Sequence, residues 1–407
     1  TGVQTCALPI FTNTMNKIIF TEEFCQPENL FPFTLTRQMQ DLRVGTLTIR
    51  EKWEKMLKLP SYDKKEDDYK DLGRSVNIDE AVQSRDFCYI VHGNLLPDAQ
   101  LIRAVKALKS GEFLTTSSGT GIIYKVSRKE ILDRFRIKVG RSVLFKYPTR
   151  HIQFPWDIIH QNAWAIGQDH ALLSRRRRSQ KISKTNRLIR RGQIFLEKGV
   201  QMEHCIINAT EGPVYIGKNA VIMEGTLIRG PVAIGEGATV KMGARIYGGT
   251  TIGPFSVAGG EIKNSVIFGY SNKSHDGYLG DSVIGEWCNL GAGTSNSNLK
   301  NNARNVRVWT SSGELNAGPK CGVMMGDHSR TAINTSINTG TVIGVGCNVF
   351  GNGLTPRYIP NFSWGSEGVQ KYEWDKLLDD ISGWMKMKGQ ELNEEEKGIL
   401  QYIYRKF

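Results

Sequence analysis

Branched aliphatic residues recur at every sixth position through the middle of the chain. Seven of them stand at constant spacing: Ile216, Ile222, Ile228, Ile234, Val240, Ile246 and Ile252. A helix repeats about every 3.6 residues and a simple strand about every two, so neither explains this period. Short strands that each end in a corner after six residues place one aliphatic side chain per face in a shared axial core. The pattern predicts a parallel β-solenoid.

The same spacing resumes twice after interruptions. Two further runs follow: Tyr278, Ile284 and Leu290, then Met325, Thr331, Ile337, Ile343 and Val349. Interruptions of a repeat mark loops that leave the solenoid. The largest predicted excursion is segment 299–322, which is rich in Asn, Arg and Gly, and either a functional role or the capping of a neighbouring subunit fits it.

The flanking segments have other patterns. Ahead of the repeats, short apolar runs such as 87–91 alternate with helical patterns such as 101–108, which predicts an α/β domain. Residues 1–14 fit poorly with the strand pattern that begins at Met15, and they resemble a translated cloning scar. The expected organisation is a non-native leader (1–14), an α/β domain (15–170), a basic linker (171–198), a β-helix domain (199–360) and a C-terminal segment of amphipathic helices (361–407).

Charge is concentrated in one place. The net charge is +13, and nine basic residues with no acid lie between Arg175 and Arg191, so the rest of the chain carries +4. Two interpretations are open: a solvated linker, or a contact with phosphate-bearing ligands or a polyanion. Aromatic residues are not interleaved through the stripe, which argues against stacking on single-stranded nucleic acid. We expect no nucleic-acid partner.

Composition narrows the class of protein. Hydrophobic residues make up 40% and charged residues 23%, which is typical of a globular protein with buried cores. No apolar run approaches the roughly 18 residues of a membrane span, and no secretory signal is evident, so we expect a cytoplasmic protein with no membrane partner. The seven scattered cysteines never form C-x-x-C, so neither a disulfide framework nor a zinc ribbon is expected.

A dense motif lies within the repeats. Its parts are Glu261-Ile-Lys-Asn, Lys273-Ser-His-Asp-Gly-Tyr-Leu-Gly-Asp-Ser-Val-Ile-Gly, Cys288-Asn-Leu-Gly-Ala-Gly-Thr and Ser297-Asn. They closely resemble the acetyltransferase half of the bacterial bifunctional N-acetylglucosamine-1-phosphate uridyltransferase/glucosamine-1-phosphate acetyltransferase family. The resemblance implies a left-handed parallel β-helix of hexapeptide repeats and a homotrimer with sites between neighbouring subunits. The spacing alone does not fix the handedness.

Acetyl transfer from acetyl-CoA to an amine needs a base for the amine proton and donors for the developing oxyanion. The resemblance implies that His275 is the base and that Glu261 orients and polarises it. An imidazole is suited to this task near neutral pH. The resemblance further implies sugar-phosphate binding by Lys263, Tyr278 and Asn289, and acetyl-CoA contacts at Ala292, Asn298 and Arg304.

Some residues depart from the family or have plainer explanations. An arginine that the family uses on the sugar phosphate has no counterpart in the segment that runs straight into Glu261, which leaves an acceptor other than glucosamine 1-phosphate open. Tyr278 stands at a repeat position and could belong to the core. Asn298 could instead stack in a ladder of asparagines.

The N-terminal domain is similar to a divergent sugar nucleotidyltransferase domain, on Leu30-Phe-Pro-Phe-Thr-Leu-Thr-Arg and Leu47-Thr-Ile-Arg-Glu-Lys-Trp above all. The family's glycine-rich phosphate loop is missing, because the first glycine after Met15 is Gly45. Two interpretations are open. Arg37, Arg43 and Lys52 replace the loop amides and bind a nucleoside triphosphate, or the domain is a non-catalytic scaffold.

An active N-terminal domain would need Mg²⁺ on the phosphates. Where the family has a metal-binding aspartate after glycine, this chain has Gly93-Asn94. Asp98, Asp157 and Asp169 are candidate ligands on neighbourhood alone, so the metal ligands stay unassigned.

The expected function is a bifunctional transferase of UDP-N-acetylglucosamine synthesis for the cell envelope. It would acetylate an amino-sugar 1-phosphate, glucosamine 1-phosphate first, and transfer uridylyl from UTP to the product. The alternatives are a degenerate, non-catalytic binding or assembly protein, and an acyltransferase with an inactive N-terminal domain. A zinc hydratase on a β-helix would need converging histidines, and the solenoid companions of His275 are the distant His204 and His328.

Overall fold

The computed structural model describes residues 16–65, 69–71, 73–82, 86–133 and 136–407. These residues form two compact units, and the segment 26–48 belongs with 152–407 in the second unit while the other described residues up to His151 form the first. The leader predicted at 1–14 lies outside the described residues. The domain boundaries drawn from the sequence stay predictions.

Helices occur in both units. They are α1 (Ile49–Leu57), α2 (Ile78–Ala81), α3 (Ala99–Ala107), α4 (Pro155–Ser174), α5 (Trp374–Met387) and α6 (Glu394–Lys406). Short 3-10 turns lie at Pro27–Leu30, Phe33–Leu35, Met39–Asp41 and Arg191–Gln193. None of the helices in the described part of the chain is long and apolar enough to cross a bilayer.

The strands ahead of α4 are β1 (Lys17–Thr21), β2 (Arg43–Val44), β3 (Leu47–Thr48), β4 (Ser61–Lys64), β5 (Ser75–Val76), β6 (Phe87–His92), β7 (Leu95–Leu96), β8 (Phe113–Thr115), β9 (Gly121–Ser127), β10 (Ser142–Leu144) and β11 (Arg150–His151). The first unit is built on the sheet β10-β8-β9-β6-β1-β4-β5. Its centre is parallel, since β1 pairs in parallel with β4 and β6, and β9 runs antiparallel to its neighbours. The predicted α/β architecture is confirmed.

The strands after α4 are much shorter. They are β12 (Arg187–Ile189), β13 (Ile194–Leu196), β14 (Gln201–Met202), β15 (Ile206–Asn208), β16 (Val214–Ile216), β17 (Val221–Ile222), β18 (Leu227–Arg229), β19 (Val232–Ile234), β20 (Thr239–Val240), β21 (Arg245–Ile246), β22 (Thr250–Ile252), β23 (Val257–Ala258), β24 (Glu261–Lys263), β25 (Val266–Ile267), β26 (Asn272–Lys273), β27 (Tyr278–Gly280), β28 (Val283–Ile284), β29 (Asn289–Leu290), β30 (Ser295–Asn296), β31 (Arg307–Thr310), β32 (Gly313–Asn316), β33 (Met324–Met325), β34 (Arg330–Thr331), β35 (Ser336–Ile337), β36 (Val342–Ile343), β37 (Asn348–Val349) and β38 (Tyr358–Ile359).

Apart from the pairs β30-β35 and β31-β32, these strands stack into three parallel sheets, which we call the first, second and third faces. The first face is β12-β15-β18-β21-β24-β27, the second β13-β16-β19-β22-β25-β28-β33-β36-β38 and the third β14-β17-β20-β23-β26-β29-β34-β37. The chain visits the faces in this order and returns to the first, so each turn of three strands is one coil. The arrangement is typical of a left-handed β-helix of hexapeptide repeats, as predicted.

The predicted inward positions form the axial core. All seven aliphatics of the first run are at most 3% exposed, and so are Met325, Ile337, Ile343 and Val349 of the third. In the regular coils a residue pairs with one eighteen positions later, as Val232 does with Thr250. One side chain per face therefore meets its counterparts above and below, which is why the sixfold spacing is kept.

The second run is out of phase by one residue at its start. Leu279, not Tyr278, is buried in the axial core, while Ile284 and Leu290 are inward as predicted. The reason is a shortened corner between β27 and β28, where the inward residues Leu279 and Ile284 are five positions apart instead of six. Tyr278 therefore lies on the outside of the first face, half-buried.

The predicted excursion leaves the coils between β30 and β33. It contains an antiparallel hairpin of β31 and β32, whose Trp309 stacks on Tyr358 with ring centroids 3.9 Å apart. After the coils end, α5 lies along the third face, where Arg330 donates a hydrogen bond to the Asp380 carbonyl oxygen at 3.1 Å. The predicted C-terminal helices are confirmed.

Candidate functional site

Three neighbouring strands of the first face carry polar side chains outward. In β21, β24 and β27 the inward residues are Ile246, Ile262 and Leu279. Side chains alternate along a strand, so the flanking residues point away from the core. Arg245 pairs in register with Glu261, and Glu261 with Tyr278, while Lys263 follows two positions on. Two cations, a carboxylate and a phenol therefore share one outer surface, which we call the first-face cluster (Arg245, Glu261, Lys263 and Tyr278).

The charged side chains of the first-face cluster are exposed to solvent and are linked by a weak ion pair. The Arg245 Nε atom lies 3.6 Å from Glu261 Oε2, and the two side chains are 45% and 35% exposed. An ion pair this exposed contributes at most about 1 kcal/mol to stability, so a ligand can replace it at little cost. Lys263 is exposed as well. Two cations beside each other and open to solvent suit an anionic group such as a phosphate.

Arg245 is a residue that the sequence analysis missed. The segment directly ahead of Glu261 contains no arginine. The register of β21 against β24 instead places Arg245, sixteen positions earlier, beside that glutamate. A regular coil of eighteen positions counted back from Glu261 would reach Gly243, so the repeat alone does not predict this pairing, because the corner after Ala258 is shortened.

His275 lies in the corner that joins the third face to the first. This corner follows Lys273 of β26 and precedes Tyr278 of β27, and the imidazole is exposed. The backbone of the corner reaches the strand that carries Glu261, since Glu261 N–H donates to the Gly277 carbonyl oxygen at 3.3 Å. The predicted base and the predicted acid thus belong to adjacent coils. Within a single chain the carboxylate of Glu261 pairs with Arg245.

The approach of these two coils depends on glycine. Gly260 has φ +71°, and a Cβ atom there would lie 2.9 Å from the His275 carbonyl oxygen. An L side chain at Gly260 would be strained in its backbone and would push the His275 corner away. The Gly259-Gly260 pair is also what shortens the corner beneath His275.

Tyr278, a member of the first-face cluster, contacts Asn298. The amide Nδ2 of Asn298 donates to the Tyr278 hydroxyl at 3.2 Å and also to the carboxylate of Asp281. Burial and the neighbouring Asp281 raise the pKa of Tyr278, so the phenol stays protonated and can donate a hydrogen bond to a ligand. The predicted acetyl-CoA contact at Asn298 is therefore next to the predicted sugar-phosphate contact at Tyr278.

The other predicted ligand contacts are more dispersed. Ala292 lies in the corner one coil above that of His275, and the two corners touch because Gly293 N–H donates to the Asp276 carbonyl oxygen at 3.0 Å. Asn289 lies on the third face, in register with Asn272. Arg304 is exposed in the excursion. One chain brings Ala292 close to His275 and leaves Asn289 and Arg304 outside the first-face cluster.

The residues predicted to bind a nucleotide are divided between the two compact units. Arg37 and Arg43 belong to the second unit and Lys52 to the first. The guanidinium of Arg37 is hydrogen-bonded to Asp327 and lies 3.5 Å from the Glu286 carboxylate. Arg43 donates to the Thr46 carbonyl oxygen at 2.5 Å, and Lys52 is 3% exposed. Nucleotide binding by these residues stays a prediction.

The parallel strands of the first unit end at charged residues. Glu22 and Glu23 follow β1, and they pair with Lys70 and Lys64 respectively. His92 ends β6, and burial together with nearby His151 lowers its pKa to about 4, so its imidazole is neutral. Ligands of parallel sheets bind at this edge, so the first unit presents paired charges and a neutral histidine where phosphates would lie.

The described residues form no complete magnesium site from side chains alone, and Mg²⁺ is usually held by one or two carboxylates together with substrate phosphates and water. Among the described residues no three His, Cys, Asp or Glu side chains converge to hold a metal ion. The candidate aspartates accept backbone hydrogen bonds instead: Asp98 from Gln100 and Leu101, Asp157 from Gln153 and Phe154, and Asp169 from Thr46 and Leu47. We derive no reaction step through a metal.

Known proteins resemble parts of this chain. Residues 18–178 match the family model described as sugar nucleotidyl transferase. The Bifunctional protein GlmU of Methanocaldococcus jannaschii is 36% identical over 99 residues, which is 24% of this chain and 24% of that protein. The bifunctional sugar-1-phosphate nucleotidylyltransferase/acetyltransferase of Sulfurisphaera tokodaii is 37% identical over 100 residues, 24% of this chain and 25% of that protein. The predicted resemblance to the bifunctional family is confirmed.

The extent of these similarities is limited. The aligned part of this chain spans about a quarter of the length of those two relatives. A solved structure titled as a UDP-N-acetylglucosamine acyltransferase has a TM-score of 0.22 and 11% identity, over 45% of this chain and 70% of that one. We base the fold on the strand pairing of this chain instead.

Proposed function

We propose that this chain is a bifunctional transferase whose β-helix acetylates an amino-sugar 1-phosphate with acetyl-CoA. The observation that supports this is the first-face cluster beside the His275 corner. Arg245 and Lys263 supply positive charge for a phosphate, and a histidine one coil away supplies a base. Glucosamine 1-phosphate is the first acceptor to test, because it carries an amine and a phosphate on one small ring.

The proposed reaction forms an amide and breaks a thioester. The amine nitrogen attacks the acetyl carbonyl carbon while the His275 imidazole takes a proton from that nitrogen. Collapse of the tetrahedral intermediate expels the sulfur of CoA, and the imidazolium returns the proton to the thiolate. The corner that contains Ala292 would face the acetyl donor, since its backbone lies directly above that of His275.

A homotrimer would complete the site. Asn289 on the third face and Arg304 in the excursion lie outside the first-face cluster in one chain. Both were predicted to touch ligands, and a second copy packed against the first face would bring its own Asn289 or Arg304 towards the cluster. Self-association is therefore part of the proposal, and the oligomeric state in solution is its check.

The acetyl transfer is tested with purified protein, acetyl-CoA and glucosamine 1-phosphate, by release of free thiol. We expect turnover with this acceptor and none with N-acetylglucosamine 1-phosphate, because its nitrogen is already acylated. Glucosamine without the phosphate should show a KM higher by about tenfold or more, since hydrogen bonds to charged groups contribute about 1.5–3 kcal/mol. No thiol release with any amino sugar would favour a binding or assembly protein.

A matched pair of arginine variants locates the phosphate. Arg245→Ala should raise the KM for glucosamine 1-phosphate and leave that for glucosamine unchanged. Arg229→Ala is the control, because Arg229 lies on the same face in the preceding coil and pairs with Glu211 at 3.2 Å. Equal effects of the two substitutions would contradict a phosphate site at Arg245.

We further propose uridylyl transfer from UTP to the N-acetyl sugar 1-phosphate in the N-terminal part, on the match of residues 18–178 to sugar nucleotidyl transferases. The sugar phosphate oxygen would attack the α-phosphorus and release pyrophosphate. Pyrophosphate release from UTP with N-acetylglucosamine 1-phosphate and Mg²⁺ should therefore be measurable. Its absence with every nucleoside triphosphate, beside intact acetyl transfer, would leave an acyltransferase with an inactive N-terminal domain.

A further inference from the structure

A lysine occupies an inward position of the β-helix. On the third face the inward side chains are Met202, Ile222, Val240, Ala258, Lys273, Leu290, Thr331 and Val349. Lys273 is 1% exposed and ranks among the largest fully buried side chains. A charged side chain in such a place is rare unless its polar atoms are satisfied. Its position therefore calls for a specific reason.

The partners of the Lys273 ammonium are two backbone carbonyls. Nζ donates to the Gly259 carbonyl oxygen at 3.2 Å and to the His275 carbonyl oxygen at 2.5 Å. In the described part of the chain, the hydrogen bonds recorded at these two oxygens come from Lys273. One side chain thus joins the shortened corner that leads to Glu261 and the corner that bears His275.

The local packing explains why lysine fits. Its partner in the strand register is Ala258, the smallest inward residue of this face, so the lysine stem fills volume beside a methyl group. The short corner after Ala258 brings the Gly259 carbonyl within reach. A hydrocarbon of the same length would fill the space equally well, but it would leave both carbonyl oxygens without a donor.

We propose that Lys273 is a positioning residue for acetyl transfer, which holds the backbone of His275 at a fixed distance from the strand that carries Glu261. It acts from inside the β-helix and touches no substrate. This inference rests on the proposed acetyl transfer for its catalytic meaning. Burial lowers the pKa of Lys273 to about 8, with Asp276 opposing the shift, and the amine keeps N–H donors in either protonation state.

Lys273→Met is the variant that tests the proposal, and Leu290→Met is its matched control. Leu290 is inward on the same face one coil later, so the control places the same side chain in the same core without removing a donor. Lys273→Met should fold with some loss of stability, because methionine fills the volume of the lysine stem but leaves the two carbonyl oxygens without their donor.

The kinetic result expected for Lys273→Met is a fall in kcat of about tenfold to a hundredfold, as misplacement of a catalytic group by about 1 Å can produce. The KM for glucosamine 1-phosphate should change little, because the first-face cluster is intact. Leu290→Met should match the wild type in both. A wild-type kcat in Lys273→Met, or a loss of kcat equal to that of Leu290→Met, would overturn the proposal.

Hydrogen exchange gives a readout that does not require activity. In Lys273→Met the amides of Gly259 and Glu261, which donate to the carbonyl oxygens of Lys273 and Gly277 across the two corners, should exchange faster than in the wild type while amides of distant coils are unchanged. Unchanged exchange at these amides, or a uniform increase throughout the β-helix, would show that Lys273 does not tie the corners. Absence of acetyl transfer in the wild type would instead overturn the proposed function, and the exchange result would still decide the role of Lys273.

Discussion

Replacing His275 with alanine should lower the kcat of acetyl transfer by about 10²- to 10⁴-fold, the usual contribution of a positioned general base. The amine of the acceptor has to lose a proton as it attacks, and the exposed His275 imidazole, in the corner that precedes Tyr278, is the base proposed to take it. The KM for glucosamine 1-phosphate should stay near the wild-type value, since Arg245 and Lys263, the proposed phosphate contacts, are unchanged. Free-thiol release under saturating acetyl-CoA measures both constants.

The chain contains a matched control for this substitution. His204 lies in a corner between the third and the first face, as His275 does, but in an earlier coil between β14 and β15. It is also exposed. His204→Ala should leave kcat unchanged. If His275→Ala retains the wild-type kcat, or if both variants lose it equally, the base is not His275 and the proposed mechanism is wrong.

The axial core could be predicted from the sequence because one physical requirement repeats along it. Each face of each coil must place one apolar side chain inward, so core residues such as Ile216, Ile234 and Ile252 recur at equal spacing and can be recognised in the sequence. The spacing fails where a corner changes length. The five-residue step from Leu279 to Ile284 makes Leu279 rather than Tyr278 the inward residue, and the four-residue step from Ala258 to Ile262 shortens the coil before it. A count of six cannot show either step, because each depends on how its corner packs against the neighbouring coils.

The candidate site was predicted only in part for a related reason. Glu261, Lys263 and His275 stand close in sequence and could be found as a motif. Arg245 belongs to the first-face cluster because of the strand register. Lys273 lies inside the β-helix beneath the site, at an inward position where a repeat pattern predicts an aliphatic residue. Both depend on which residues become neighbours after the coils stack, and sequence spacing alone does not give that information.

The N-terminal segments show most clearly which contacts sequence patterns do not predict. The alternation of strands and helices predicted an α/β domain, yet segment 26–48 belongs to the same compact unit as the β-helix. Its Arg37 reaches an aspartate 290 positions later in the chain. A contact between residues so far apart produces no periodic pattern, so the sequence did not predict this ion pair, and the two interpretations of Arg37, as a nucleotide ligand or as part of a non-catalytic scaffold, both stay predictions.

Arg37→Met should destabilise the second unit by about 3–5 kcal/mol, the usual effect of removing one partner of a buried ion pair. Arg37 and Asp327 have side chains only 12% and 4% exposed, and the guanidinium also lies 5.1 Å from the centre of the Phe268 ring. Without Arg37 the Asp327 carboxylate would remain buried with hydrogen bonds from Thr36 and the Glu286 amide but no cation in contact. At about 2–4 °C per kcal/mol, the melting temperature should fall by roughly 10 °C.

The double variant Arg37→Met with Asp327→Asn separates this role from nucleotide binding. Removing both charges takes away the uncompensated carboxylate, so the double variant should recover a large part of the lost stability. Urea unfolding and pyrophosphate release are measured on the same preparations. A single variant that unfolds like the wild type but needs more UTP would identify Arg37 as a nucleotide ligand. A large loss of stability that Asp327→Asn relieves would instead show that Arg37 stabilises the packing of segment 26–48 on the β-helix. The relief would arise because Arg37 and Asp327 are partners in one buried ion pair.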